Sequence, residues 1–275
     1  MRNERYFTIT NMTCCPFYET CSDRDTEKCK WNCSICDGMN YMMALSELPR
    51  KFMHKQNLDI LQLGSGDTYT YIETALNDMT TFVNNGCQAY FYGSVGTGKT
   101  CWAVKMLTTY FAEMALHGHA GHYVRGLYIN VPKLLIDVKH YMGRYVEDHE
   151  QLLNEICVAP IVIWDDIFQS DPTTYESQLL YSFIDQRLNN GLANIFTSNL
   201  SPDDLYVYDS RLHSRVCTTA DCLKFAGQDK RFNHTKFSDI ANIDLHNPKN
   251  INNINDYYSP EDSITEPKPD NNIMF

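Results

Sequence analysis

No stretch of the chain approaches the roughly 18 consecutive apolar residues that a membrane-spanning helix needs. The opening segment MRNERYFTITNMTCC also lacks an unbroken apolar run followed by a small-residue cleavage site. Neither a membrane span nor a secretory leader is therefore expected, and the expected compartment is the cytoplasm. Basic charge is scarce as well: 23 Lys and Arg face 34 Asp and Glu, a formal net charge of -11. That balance argues against tight nucleic-acid binding by the chain acting alone, because contacts to phosphate supply much of such affinity. The segment with Arg211, Arg215, Lys224, Lys230, Arg231 and Lys236 is the candidate for a local basic patch. The acidic excess, concentrated in residues 151–200 and after 250, points first to a protein partner and also favours solubility. No internal repeat is evident. The nine histidines show no catalytic spacing, and His117, His119 and His122 lie in a glycine-rich connection and read as loop residues.

What the chain does have is apolar mass and order. With 275 residues and 43% hydrophobic content it can bury a substantial core. Composition separates a cysteine-rich head to about Gly38, a body to about Phe237, and a tail rich in Asn, Asp and Pro. Residues 39–70 read as a short helix and connector, which divides the chain into a module and linker over 1–70, a main domain over 71–241 and a tail over 242–275. The tail offers too little apolar area to offset the entropy of ordering it, and is expected to be disordered. Its end, EPKPDNNIMF, is either inert or a docking peptide.

Within the body, short apolar runs alternate with longer helical patterns, the mark of a parallel sheet covered by helices on both faces. The strand candidates are QAYFYG, GLYIN, APIVIWD, ANIFTS and CLKFAG; helices are expected over Thr100–His117, Pro132–Tyr145 and Thr173–Asn190. In the last, Tyr175, Leu179, Leu180, Phe183, Ile184 and Leu188 recur at helical spacing and are expected to face the sheet.

The segment GSVGTGKT, from Gly93 to Thr100, sits between a strand pattern and a helix pattern. Gly93, Gly96 and Gly98 let the backbone curl around phosphate oxygens, and Ser94, Val95 and Thr97 contribute amides to the same curve. Lys99 is expected to reach the β- and γ-phosphates of ATP, and Thr100 to hold a magnesium ion. Further on, IVIWDDIF runs from an apolar strand into two carboxylates. Asp165 suits the water shell of magnesium, and Asp166 stands where a base polarises attacking water; the bland alternative is a capped turn after a core strand. ANIFTSNL ends in Thr197, Ser198 and Asn199 at a carboxyl edge. Asn199 either holds the water or γ-phosphate by its amide or serves as a turn former.

Taken in order, GSVGTGKT, GLYINVPKLLIDVK, IVIWDDIF, IFTSNLSPDDL, and SRLHSRV followed by GQDKR resemble the AAA+ ATPases, and among them the DnaC/DnaI type of bacterial and phage helicase loaders with IstB as kin. The resemblance covers about residues 70–235. It implies an α/β P-loop NTPase sheet with a reduced or absent lid, since little helix-forming sequence follows Arg231. It also implies a sensor-1 role for Asn199, an arginine finger at Arg215 with Arg211 one turn before it, and a sensor-2 equivalent at Arg231. A finger works across a subunit boundary, so self-association in the ATP-bound state is implied; surface solvation or contact with DNA phosphate is the alternative for Arg215. The implied activity is ATP-dependent loading of a replicative DNA helicase onto single-stranded DNA, with slow, partner-stimulated hydrolysis. A transposition helper of the IstB kind and a nucleotide-binding scaffold without turnover are the rivals.

The head carries Cys14, Cys15, Cys21, Cys29, Cys33 and Cys36. Where disulfides seldom persist, dense cysteines bind metal more often than they cross-link. CSIC gives Cys33 and Cys36 the spacing of a zinc knuckle, with Cys21, Cys29 and either Cys14 or Cys15 able to complete a four-sulfur site. Cys29, Cys33 and Cys36 also spell the CxxxCxxC of three-cysteine iron–sulfur ligation, and a metal-free head is the third reading. Some helicase loaders resemble this arrangement, with a cysteine-rich head that contacts the helicase.

Overall fold

A computed structural model describes residues 33–52, 58, 66–119, 125–141, 147–168 and 173–227. Five strands, β1 (Gln88–Gly93), β2 (Gly126–Asn130), β3 (Ile161–Asp165), β4 (Ala193–Ser198) and β5 (Asp221–Phe225), pair in parallel in the order β2-β3-β4-β1-β5. All five coincide closely with the apolar runs of the sequence. The agreement has a simple cause: a strand covered on both faces must be apolar almost throughout, and such runs stand out.

Strand alternation assigns the two faces. Ala89, Phe91, Tyr128, Ile161, Ile163, Ala193, Ile195, Leu223 and Phe225 belong to one buried cluster; Tyr90, Leu127, Ile129, Val162, Trp164 and Phe196 belong to the other. The first face is covered mainly by α4 (Lys99–Leu116), with α1 (Ser34–Leu45), α2 (Asp67–Asn77) and α3 (Met79–Asn84) around it. Met39, Met42 and Met43 of α1 are buried in this same core, so the segment just after the cysteine-rich stretch packs against the sheet's own helix layer. Glu113 of α4 accepts the amides of Met79 and Thr80, at 3.0 and 2.7 Å, satisfying donors that the first turn of α3 leaves without helical partners.

The opposite face carries α5 (Val131–Tyr141), α6 (Glu147–Val158), α7 (Thr174–Asn189), α8 (Pro202–Tyr208) and α9 (Ser210–Val216). A capping box of Thr173 and Glu176 starts α7, and Ser201 with Asp204 does the same for α8. The stripe expected on α7 needs one correction. Leu180, Phe183 and Ile184 are buried and Leu179 and Leu188 partly so, but Tyr175 is 42% exposed. The buried stripe begins with Glu176 and Ser177, about 100° of helical turn away from Tyr175.

That stripe also includes Arg187, which is fully buried. Its Nε donates to Asn194 Oδ1 (2.6 Å), Nη1 to the carbonyls of Ile156 (2.7 Å) and Ala159 (2.8 Å), and Nη2 to that of Ala193 (2.6 Å). Asn194 passes the network on to Gln88 Oε1 at 2.7 Å and accepts from Trp164 Nε1 at 2.9 Å. Burial pushes the guanidinium down to about 9, which leaves it charged at neutral pH. One cation thus ties α6, α7 and β4 together away from the carboxyl edge. Residues 231–275 lie outside the described residues, and with them the expected tail and Arg231.

Candidate functional site

Parallel order brings the carboxyl ends of β1, β3 and β4 to one edge, with β1 directly beside β4 and β3 beyond it. The phosphate loop leaves β1 at Gly93 (φ 139°) and enters α4 at Gly98 (φ 98°), both in the backbone region that side chains disfavour. At Gly93 the reason is also steric: a Cβ there would lie 2.1 Å from the carbonyl oxygen of Phe225 on β5. Inside the loop, Thr97 Oγ1 donates to the Ser94 carbonyl at 2.8 Å, and Val95 stands at the tip, 49% exposed. The loop feeds the N-terminus of the 18-residue α4, whose dipole favours an anion there.

Lys99 is only 6% exposed. Its Nζ donates to the carbonyls of Gly93 and Ser94, each at 2.8 Å, and to Asn199 Oδ1 at 3.0 Å. The lysine therefore bridges its own loop to the end of β4.

Alternation puts Asp165, Thr197 and Tyr128 on the α4 face of the sheet. Asp165 is 3% exposed, and its oxygens are shared among hydroxyls. Oδ1 accepts from Thr100 Oγ1 (2.7 Å) and Thr197 Oγ1 (2.8 Å); Oδ2 accepts from Tyr128 Oη (2.6 Å). Burial and then the Asp165 charge push the Tyr128 phenol well above its ordinary pKa, so it stays a donor. Because Thr100 spends its hydrogen on Asp165, its oxygen lone pairs are left for a cation. The pair offers the hard oxygen donors that magnesium and its waters take, so these residues fit the ion. Bound there beside a nucleotide, magnesium would neutralise phosphate charge.

Asp166 is half-buried and has a left-handed backbone (φ 56°). Its amide donates to Thr197 Oγ1 at 3.0 Å, while the Ile167 amide donates to the Thr197 carbonyl (2.9 Å) and Ser198 Oγ to the Ile167 carbonyl (2.9 Å). The turn after β3 is thereby fastened to the end of β4, and that fastening holds a conformation an aspartate otherwise disfavours.

A solved structure of DnaI is similar at 20% identity, TM-score 0.50, over 68% of this chain and 95% of that one. A structure of the DnaC helicase loader is similar at 18% identity and the same TM-score of 0.50, over 65% and 100%. The fold is that of the DnaC/DnaI-type AAA+ ATPases. Among curated proteins, the replicative helicase loader DnaI of Bacillus subtilis (strain 168) is 24% identical over 156 residues, 52% of this chain. The chain spans about half (47%) of that relative's length. No family model matches.

The loop residues, Lys99, Thr100, Asp165, Asp166 and Asn199 lie together at one edge of the sheet. Arg215 lies elsewhere, on α9 against α7. Its Nε donates its one hydrogen to Tyr181 Oη at 3.2 Å, so the 2.9 Å approach to Asp185 Oδ1 is a Coulombic contact rather than a second hydrogen bond. The guanidinium also sits 5.7 Å from the Tyr181 ring centroid, and the side chain is 43% exposed. Arg211 is more exposed, at 63%, with Asp209 3.9 Å away. Cys14, Cys15, Cys21, Cys29 and His122 lie outside the described residues. Of the expected sulfur ligands Cys33 and Cys36 are described: Cys33 caps α1, its Sγ accepting the Cys36 amide at 3.4 Å. Among the described residues no cluster of three or more His, Cys, Asp or Glu forms a metal site, and no helix is long and apolar enough to cross a membrane.

Sequence reasoning missed Tyr128 as a site residue. Tyr128 lies opposite Ile163, one strand away and two residues short of Asp165, and only the register shows that its phenol reaches the carboxylate. Thr197 was placed at the edge but not recognised as the shared partner of Asp165 and Asp166.

Proposed function

We propose that the chain is an ATPase that loads a replicative DNA helicase onto single-stranded DNA. The observation that carries the ATPase half is the Thr100–Asp165 hydrogen bond beneath a glycine loop whose lysine touches Asn199, a constellation suited to magnesium and a nucleoside triphosphate. The loader half rests on the similarity to DnaI, named as a replicative helicase loader, across 52% of this chain and 47% of that one.

In this reading Lys99 and the loop amides hold the phosphates, and Thr100 and Asp165 hold magnesium. Asp166 orients the attacking water, with Asn199 sensing the γ-phosphate. Arg215 acts on a neighbouring copy, so the protein self-associates when ATP is bound, and Arg231 contributes as a sensor-2 equivalent. Turnover is slow until partners bind. The cysteine-rich stretch within residues 1–70 contacts the helicase, α1 and residues 46–52 packing on the ATPase domain of 71–241; the protein works in the cytoplasm. The cysteine-rich head holds zinc, a reading that rests on the knuckle spacing of Cys33 and Cys36 in CSIC.

The test is retention of the host's replicative helicase by the full-length protein, with and without ATP, alongside a Lys99→Ala protein. ATP-responsive retention that Lys99→Ala abolishes is expected. Intact ATP binding with no helicase retained would sink the loader half and leave a transposition helper or nucleotide-binding scaffold.

A further inference from the structure

We infer that Tyr128 is a positioning residue for Asp165, seated from outside the sheet by the segment that follows α1; this rests on the reading of Asp165 as a magnesium-shell residue. Both Asp165 hydroxyl contacts from the threonines fall on Oδ1. Held only there, a carboxylate remains free to swing its second oxygen. The Tyr128 phenol takes that second oxygen at 2.6 Å and fixes the plane of the group, and with it the direction in which Asp165 meets metal-bound water. Groups that orient a metal's ligands from behind matter to affinity nearly as much as the ligands do.

What holds Tyr128 is as informative. Among the described residues strand β2 is at the edge of the sheet, so one side of its backbone has no neighbouring strand there. Ser46, fully buried at the end of α1, covers it there: the Tyr128 amide donates to the Ser46 carbonyl at 2.7 Å. Ser46 is itself fixed by its Oγ, which donates to the Met43 carbonyl at 2.7 Å. Phe52, 5% exposed, packs its ring 6.1 Å from the Tyr128 ring at an interplanar angle of 54°. The strand's backbone and the phenol's ring are thus gripped by the polypeptide leading out of the cysteine-rich head. A continuous set of contacts runs from Met43 through Ser46 and Phe52 to Tyr128 and ends on Asp165. Displacement of residues 46–52 therefore alters the magnesium site without touching the phosphate loop.

The experiment titrates magnesium against binding of a fluorescent ATP analogue to the full chain, with a parallel titration in EDTA. Tyr128→Phe keeps the ring and removes only the donor. It is expected to raise the magnesium concentration for half-maximal tightening about tenfold, with metal-free nucleotide affinity unchanged and a thermal transition that stays cooperative at a lower midpoint, since Asp165 Oδ2 loses its donor. Phe52→Leu is expected to produce a smaller shift in the same direction, and none in a Tyr128→Phe background, because its effect travels through the phenol. An unchanged magnesium requirement in Tyr128→Phe overturns the positioning role. A Phe52→Leu shift that persists in that background overturns the seating role. A wild-type protein that binds no nucleotide with or without magnesium overturns the ATPase reading itself, and the inference with it.

Discussion

Arg187→Met tests the least ordinary feature of the fold, a buried cation whose hydrogen-bond partners are carbonyls and an amide. Four hydrogen bonds join it to Asn194, Ile156, Ala159 and Ala193. Bonds from a charged donor contribute about 1.5 kcal/mol each at the low end, so the set is worth about 6 kcal/mol. A buried methionine returns about 2 kcal/mol through its apolar area. All four acceptors lose the guanidinium, and of them Asn194 Oδ1 still accepts from Trp164 Nε1. The balance is a destabilisation of about 4 kcal/mol, a large share of the roughly 5–15 kcal/mol that stabilises a typical domain. In urea unfolding, a slope near 3 kcal/mol/M turns this into a midpoint lower by about 1.3 M. Arg187→Lys is expected to fall between the two proteins, because one ammonium cannot reproduce the planar fork. A Met variant whose midpoint lies within about 0.3 M of wild type, with the same slope, would refute the reasoning.

Thr173→Ala removes the cap of α7 and is expected to cost about 1 kcal/mol at pH 7, measured by the same unfolding. Lys139 first, and then Thr173, hold the Glu176 carboxyl below its ordinary 4.5, so their contribution is present above that pH and lost as pH falls through the lowered value; the deficit of the variant narrows below pH 4.5. Arg215→Ala is expected to leave ATP affinity within about threefold and the urea midpoint close to wild type, since its ion pair is exposed, while the turnover of assembled protein falls by at least about tenfold. Normal turnover in that variant would remove Arg215 from the reaction. Asn199→Asp places a carboxylate at the 3.0 Å contact with Lys99, which holds the lysine and repels phosphate; ATP titration should show at least about a tenfold loss of affinity. Wild-type affinity would mean that this contact does not form in solution.

The parts of the fold that were legible share one property, a signal contained in a single segment. Each strand is a short apolar run because both faces of the sheet are covered, and the loop from Gly93 to Thr100 states its backbone geometry through its glycines. Helix α6 gave no comparable signal: its helical turns are largely polar, and Ile156 is the residue it buries completely. The short helices α8 and α9 were legible only through their caps, Ser201 and Asp209, which mean little until the strand before them is fixed. Tyr175 was misassigned because a tyrosine satisfies an apolar pattern whether its ring is inside or out, while the charged Arg187, three residues past Ile184, was the one that went in.

At the site, single residues were legible and pairings were not. Lys99 and Asp165 are both nearly buried, and a buried charge without partners costs several kcal/mol. Each must therefore be satisfied before any ligand arrives. Lys99 is met by two loop carbonyls and Asn199, Asp165 by three hydroxyls. Under the proposed function, phosphate binding at this edge is an exchange of acceptors around Lys99 rather than the filling of an open charge, and its strength depends on what the lysine gives up. A motif names the residue expected to meet the phosphate, but the resting partners outside the loop and α4 come from β2 and from β4 and its end, set by register and by the length of a phenol. Those distances belong to the sheet, which is why Asn199 and Tyr128 acquire their roles only once β4 and β2 have been placed beside their neighbours.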